Sequence, residues 1–400
     1  MGFAIKCRLR IKTAVHQTRM RARVVILTRG IGATSFPWNE LYHNLRRFQP
    51  GVQWPPAAVG AGLSRRNWQW GESSAQHRRY LRLGPIAALW YIMRVARRSR
   101  KKHRDFIVHI HSPALAPLGL LTRVLAPSAK IVVTQHNDWR FFRGHQKLGL
   151  SLLAKVADQY TVCGRAIEET LPDNIQSTLN DSGRLSSIPN SINTSWLRKF
   201  DSPAGCGKSD GGNRSEESRS RTAVVISRMV PQKNCQFLLE AFAQCKPLDS
   251  LIWFGDGVER PAVEETIQRL GLQGRVELRG LRPREEVFAT LASSGFYFNA
   301  SKWEGLCVAD LEATALGCWP IMSEISQRKE VAEVLGIRLF PLEDQEPWRE
   351  GVEEFLARTV SERAKLRQAI AKATRESFGL EAMLRRYDRV YAEAQRSRLR

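Results

Sequence analysis

Four hundred residues, 43% of them hydrophobic, are more than one hydrophobic core usually serves and enough to fill two of ordinary size. The formal charge is +23, with seven Lys/Arg and no acid in residues 1–23 and seven more between Arg94 and Arg104, blocks that attract polyanions: nucleic acid, an anionic membrane surface or an acidic substrate. Seven scattered cysteines show no CxxC spacing and no nearby His pair, which excludes the common zinc motifs and suits a reducing cytoplasm.

Residues 1–22 form a basic segment without the apolar core and cleavage site of a signal peptide. The longest apolar run, Leu83 to Met93, falls short of the roughly 20 residues that cross a bilayer. Residues 23–200 read as a first α/β domain, with strands at VVIL (Val24 to Leu27), FIVHI (Phe106 to Ile110), IVVT (Ile131 to Thr134) and YTVC (Tyr160 to Cys163). Pro50 to Gly71, rich in Pro, Gly and Trp, reads as a long loop. Asp201 to Arg221 has no large apolar residue and reads as a linker or disordered loop. Residues 222–378 read as a second α/β domain, with strands at AVVIS (Ala223 to Ser227), LIWF (Leu251 to Phe254), VELR (Val276 to Arg279), FYFN (Phe296 to Asn299) and WPIM (Trp319 to Met322). Residues 379–400 close the chain with a helix that places Met383, Leu384, Tyr387, Val390, Tyr391 and Ala394 on one face.

Three stretches carry candidate chemistry. After the strand ending at Ser227, a loop bears Arg228 and Lys233 just before a helix, where an anion such as pyrophosphate would meet two cations and a helix N-terminus. Scattered basic residues of an Arg-rich chain are the plainer reading. FGDG, with Gly255, either brings backbone amides close to a ligand or makes an ordinary tight turn, and the turn is favoured on the residues alone. In EGLCVADLEA, a helix over Gly305 to Leu316 would set Glu304 and Glu312 about 12 Å apart along the axis and about 80° around it, on one side. Carboxylates accept from sugar hydroxyls, and the amides of Gly305 to Cys307 would face a phosphate or hydroxyl. A solvated Glu312 and a dipole-facing Glu304 are the alternative.

In this order, Arg228 with Lys233, then FGDG, then Glu304 and Glu312 at E-x7-E spacing, the chain resembles the family-4 retaining glycosyltransferases. The resemblance implies the GT-B architecture: two Rossmann-like parallel-sheet domains facing across a cleft, with the last helix crossing back to the first domain. It implies that Arg228 and Lys233 neutralise a donor diphosphate. It also implies that Glu312 holds ribose hydroxyls and that Glu304 faces the donor sugar beside Gly305, Leu306 and Cys307, with Gly255 on the donor side. In the first half, RGIGATS resembles the family's glycine loop, with Gly32 approaching phosphates or acceptor. TQHND makes His136 the contact to the transferred sugar, and IPNSIN places Asn190 near the hinge. His109 and His111 read as structural. Asn234, Ser191 and Cys307 stand where the family usually has glycine, and a side chain at Cys307 would narrow the site, changing the sugar that fits or silencing turnover.

The function implied is metal-independent transfer of a sugar from a nucleotide diphosphate sugar to a glycan or lipid-linked acceptor, with no further cofactor and no metal ligands. The implied location is cytoplasmic, peripheral on an anionic inner membrane face. Two other readings stand beside it: a basic nucleic-acid-binding α/β protein, in which the Glu pair would repel the backbone, and a sugar-nucleotide epimerase of the same architecture.

Overall fold

The computed structural model describes residues 23–28, 58–60, 106–200 and 216–397, with helical residues 89–90, 92–94 and 96–97 between them. The basic segment 1–22, the loop holding Gly32, most of the Trp-rich stretch and residues 201–215 lie outside the described residues.

The first sheet has six parallel strands in the order β2-β1-β3-β4-β5-β6. They are β1 (Arg23–Thr28), β2 (Ala58–Gly60), β3 (Phe106–Ile110), β4 (Ala129–Gln135), β5 (Gln159–Val162) and β6 (Leu185–Ser187). The second has five parallel strands in the order β11-β10-β7-β8-β9. These are β7 (Thr222–Ile226), β8 (Ser250–Phe254), β9 (Val276–Gly280), β10 (Phe296–Asn299) and β11 (Trp319–Met322). The nine apolar runs named from the sequence are strands within a residue or two. β2 and β6 escape that pattern, because three residues carry no alternation to detect, and β2 interrupts a stretch expected to be loop.

Strand alternation divides the second domain's interior into two layers. Val224 and Tyr297 point into a core continuous with the first domain, while Ala223, Val225, Phe296 and Phe298 pack on the opposite face with Trp253 and Trp348. The helices used below are α1 (Ala116–Leu125), α2 (Gly144–Val156), α3 (Cys235–Gln244), α4 (Arg284–Ala292), α5 (Val308–Ala315), α6 (Ser326–Leu335), α7 (Val360–Phe378) and α8 (Leu380–Arg396).

The chain returns to the first domain through α7 and α8. A capping box between Thr359 and Glu362 starts α7. At its end, Ile192 N donates to Phe378 O at 2.9 Å and Leu380 N to Ile192 O at 3.0 Å, turning the chain into α8. All six apolar residues expected on one face of α8 are buried. They lie against the first sheet, with Tyr391 Oη 2.7 Å from His109 Nδ1 and Tyr387 Oη 3.3 Å from Thr134 Oγ1. Lys130 Nζ donates to Ser397 O at 2.6 Å.

Candidate active site

In the second sheet the chain begins at the central strand β7, moves outward through β8 and β9, then returns to the other side of β7 as β10. Loops leaving β7 and β10 therefore diverge and open a crevice at the strands' carboxyl ends, where open parallel sheets bind ligands. Arg228 and Lys233 follow β7, and Glu304 follows β10. The loops are tied together: Lys302 N donates to Gln232 O at 2.9 Å and Gln232 Nε2 to Trp303 O at 2.7 Å.

Across this crevice Lys233 and Glu304 form an ion pair, both largely shielded from solvent. Burial disfavours charge on Lys233, yet the attraction and hydrogen bond of Glu304 outweigh that and hold its pKa above the ordinary lysine value. Burial also keeps Cys307 a neutral thiol, its pKa pushed well up, so the opposing charge is that of Glu304. Arg228 is exposed, and among the described residues it has no ion pair.

The loop geometry explains the flanking residues. Asn234 turns the chain into α3 at φ 54°, the left-handed region that Asn and Gly tolerate, which accounts for Asn where the family usually has glycine. Gly255, at φ 127°, lies so close to the Arg228 loop that a Cβ would fall 2.0 Å from Ser227 O. The packing of one protein loop on another therefore demands this glycine, whether or not a ligand touches it.

The relation expected between the two glutamates is corrected by the structure. Helix α5 begins at Val308, so Glu304 lies in the preceding loop and shares no helix face with Glu312. Contacts from the first domain hold that loop out of the helix. A Cβ on Gly305 would meet His136 O at 2.3 Å, and Asn190 Nδ2 donates to Leu306 O at 2.8 Å. The EGLC segment thus sits against the first domain's strand-end residues, with Leu306 in the shared core.

Glu312, on α5, pairs with Arg284 at the start of α4, a partner that no local sequence pattern marks. Burial raises the Glu312 pKa to about 7 while Arg284 pulls it down. The Arg284 guanidinium also lies 5.0 Å from the Trp196 ring and 4.9 Å from that of Phe288, contact distances for a cation over an aromatic face. A second unforeseen pair joins α5 to α6. Asp310 accepts from Asn299 Nδ2 at 2.7 Å, Arg328 Nε at 2.8 Å and Tyr297 Oη at 3.0 Å, and Arg328 is 2% exposed. This buried network fixes the start of the helix that follows Glu304.

On the first domain, His136 leaves the end of β4 with its Nε2 3.1 Å from His111 Nδ1, the rings nearly parallel. His109, behind them, has its Nε2 2.6 Å from Thr134 Oγ1. Burial lowers the pKa of His136 to about 3 and holds His109 and His111 well below the ordinary value, so all three imidazoles are neutral at pH 7. The domains also meet around a cavity of about 350 Å³, lined by Arg140 and Phe141 on one side and Lys302, Trp303, Ile325, Ser326 and Gln327 on the other. Phe141 stacks on Trp303 at 4.7 Å between ring centroids.

Two family descriptions cover the two halves of the chain: Glycosyltransferase Family 4 over residues 13–196 and Glycosyl transferases group 1 over residues 212–377. One component of the phosphatidylinositol N-acetylglucosaminyltransferase of Arabidopsis thaliana is 33% identical over 113 residues, which are 28% of this chain and 25% of that protein. An exopolysaccharide phosphotransferase of Streptomyces coelicolor is 26% identical over 281 residues, 67% of this chain and 27% of that one. The chain thus spans about a quarter of the length of these curated relatives. Among solved structures, HepE of Anabaena in complex with UDP superimposes with a TM-score of 0.69 at 14% identity, covering 93% of this chain and 100% of that one. Sucrose-phosphate synthase of Thermosynechococcus elongatus gives 0.71 at 16% identity, covering 93% and 99%. At such identities these structures establish the fold alone. With a family description on each half and that fold shared along nearly the whole chain, this protein belongs to the family-4, group 1 glycosyltransferases of GT-B architecture.

Proposed function

We propose that this chain transfers a sugar from a nucleotide diphosphate sugar to an acceptor hydroxyl, with retention of anomeric configuration and without a divalent metal. The observation that carries the proposal is the β7/β10 crevice, where the loop leaving β7 bears exposed Arg228 and, five residues on, Lys233, which pairs with Glu304. As the sugar–phosphate bond breaks, negative charge grows on the diphosphate, and in this reading Arg228, Lys233 and the α3 N-terminus receive it. Glu312, once ionised, accepts from the ribose hydroxyls. Neutral His136, beside the loop of Glu304 and Gly305, contacts the transferred sugar by hydrogen bonding. Same-face attack assisted by the leaving phosphate suits this arrangement, so no protein nucleophile is assigned.

The acceptor in this reading is a lipid-linked or cell-surface glycan precursor, handled at a cytoplasmic membrane face. The partial match to a component of a phosphatidylinositol N-acetylglucosaminyltransferase and the chain's positive charge support it. The test is transfer to a panel of lipid-linked acceptors in the presence of a chelator, with the product's anomeric configuration read by NMR. A retained configuration at undiminished rate is expected. An inverted product, or a rate abolished by chelation, overturns the proposal, and free nucleotide released without acceptor while the sugar is epimerised favours the epimerase reading.

A further inference from the structure

The outer surface of the first domain carries an aliphatic face that the site does not use. On α1, Leu121 is 47% exposed and Val124 74%; on α2, Leu148 is 63% exposed and Leu152 41%. The helices lie side by side in close contact. A Cβ on Gly149 of α2 would sit 2.8 Å from the Ala116 methyl of α1, and one on Gly119 of α1 would sit 2.9 Å from Leu153. Their outer faces therefore adjoin, and the exposed side chains form one patch rather than scattered positions.

Charge decides what covers this patch. Neither helix contains an Asp or Glu, while α2 carries Lys147 and Lys155 among its aliphatics. A second copy of the chain docked here would set lysine against lysine with no acid from either helix to meet it. An anionic lipid surface instead receives the aliphatic side chains in its acyl boundary and pairs its headgroups with the lysines. Along the chain, α2 starts close to the cleft. Phe141, at the rim of the interdomain cavity, precedes α2 by three residues, and Leu148 and Leu152 lie about 6 Å and 12 Å along the axis from Gly144.

We infer that the α1/α2 face rests on an anionic bilayer, bringing the cleft to an acceptor anchored in that bilayer. The inference rests on the lipid-linked acceptor reading for its functional sense, but vesicle binding is read without donor or acceptor, so its failure is distinguishable from failure of the transferase reading. The experiment is flotation of the full chain with phosphatidylcholine vesicles, with and without a one-third share of phosphatidylglycerol, for the wild type, Val124→Glu/Leu148→Glu and Lys147→Glu/Lys155→Glu. Light scattering and thermal melting accompany it.

The wild type is expected to float with the anionic vesicles only. The aliphatic variant is expected to bind them about tenfold or more weakly, with unchanged melting, and the lysine variant to lose binding most at low salt. The basic stretches at 1–23 and 94–104 are present in every variant. Undiminished flotation of the aliphatic variant would assign binding to those stretches and overturn the inference. It would also be overturned by a wild type that ignores vesicles, or by a dimer that this variant dissociates.

Discussion

Glu312 is expected to set stability and ligand affinity against each other along the pH axis. Burial takes its carboxyl from the ordinary 4.5 to about 7 despite the pairing with Arg284. At about 1.4 kcal/mol per pH unit, that difference amounts to about 3 kcal/mol. Between the two values the unfolded chain has lost the proton and the folded chain keeps it, so stability is fully present below pH 4.5 and falls as pH rises through about 7. Glu312→Gln removes the titration. The variant should be more stable than the wild type at pH 8, by up to about 3 kcal/mol, and the advantage should fade towards pH 4. Urea unfolding of both proteins across this range, with the curves subtracted, isolates the effect, because every other titrating group is common to both.

The proposed donor site requires the opposite charge state, since in that reading the Glu312 carboxylate accepts from both ribose hydroxyls. A diphosphate sugar has no phosphate proton titrating near neutrality, so wild-type affinity should rise about tenfold from pH 6 to pH 8, following the ionised fraction of Glu312. A difference curve that is flat, or one that grows towards acid, would refute the assignment of burial as the cause.

Gly305→Ala should cost about 1–3 kcal/mol and weaken donor binding, because its Cβ meets the His136 carbonyl, a backbone atom that no rotamer change removes; melting and calorimetric titration read both effects. Asp310→Ala strands the buried Arg328 charge and should destabilise by about 3–5 kcal/mol, whereas Asp310→Leu with Arg328→Met should recover most of it, measured by urea unfolding. His136, held near 3, stays neutral in the folded chain while the unfolded chain protonates below 6.5. Its contribution is therefore lost as pH falls from 6.5 towards 3, and His136→Gln should flatten that acid limb of the stability profile.

The framework was legible because both sheets are parallel and buried, so that runs such as FIVHI and FYFN stand out from the helices between them. The stripe on α8 was equally plain, and its partner followed from the family resemblance. What escaped notice depends on tertiary contact. Arg284 looks like any basic residue at a helix start until folding brings Glu312, 28 positions later, against it. Asp310 and Arg328 come from different helices, and nothing local marks them as one buried pair. Local pattern starts the helix at Gly305, but His136 and Asn190 reach across from the other domain and hold Gly305 and Leu306 in a bend outside it. Propensity yields there to the interface that builds the site.

The most direct test of the donor site is calorimetric titration of metal-free wild type and Glu312→Ala with a panel of nucleotides and their diphosphate sugars. Selective binding of one base and its sugar conjugate, little affected by salt and weakened tenfold or more in the variant, is the expected result. Absence of binding to any member, or binding that ignores Glu312→Ala and falls steeply with salt, would contradict a donor site in this cleft and point to a polyanion held by the basic surface.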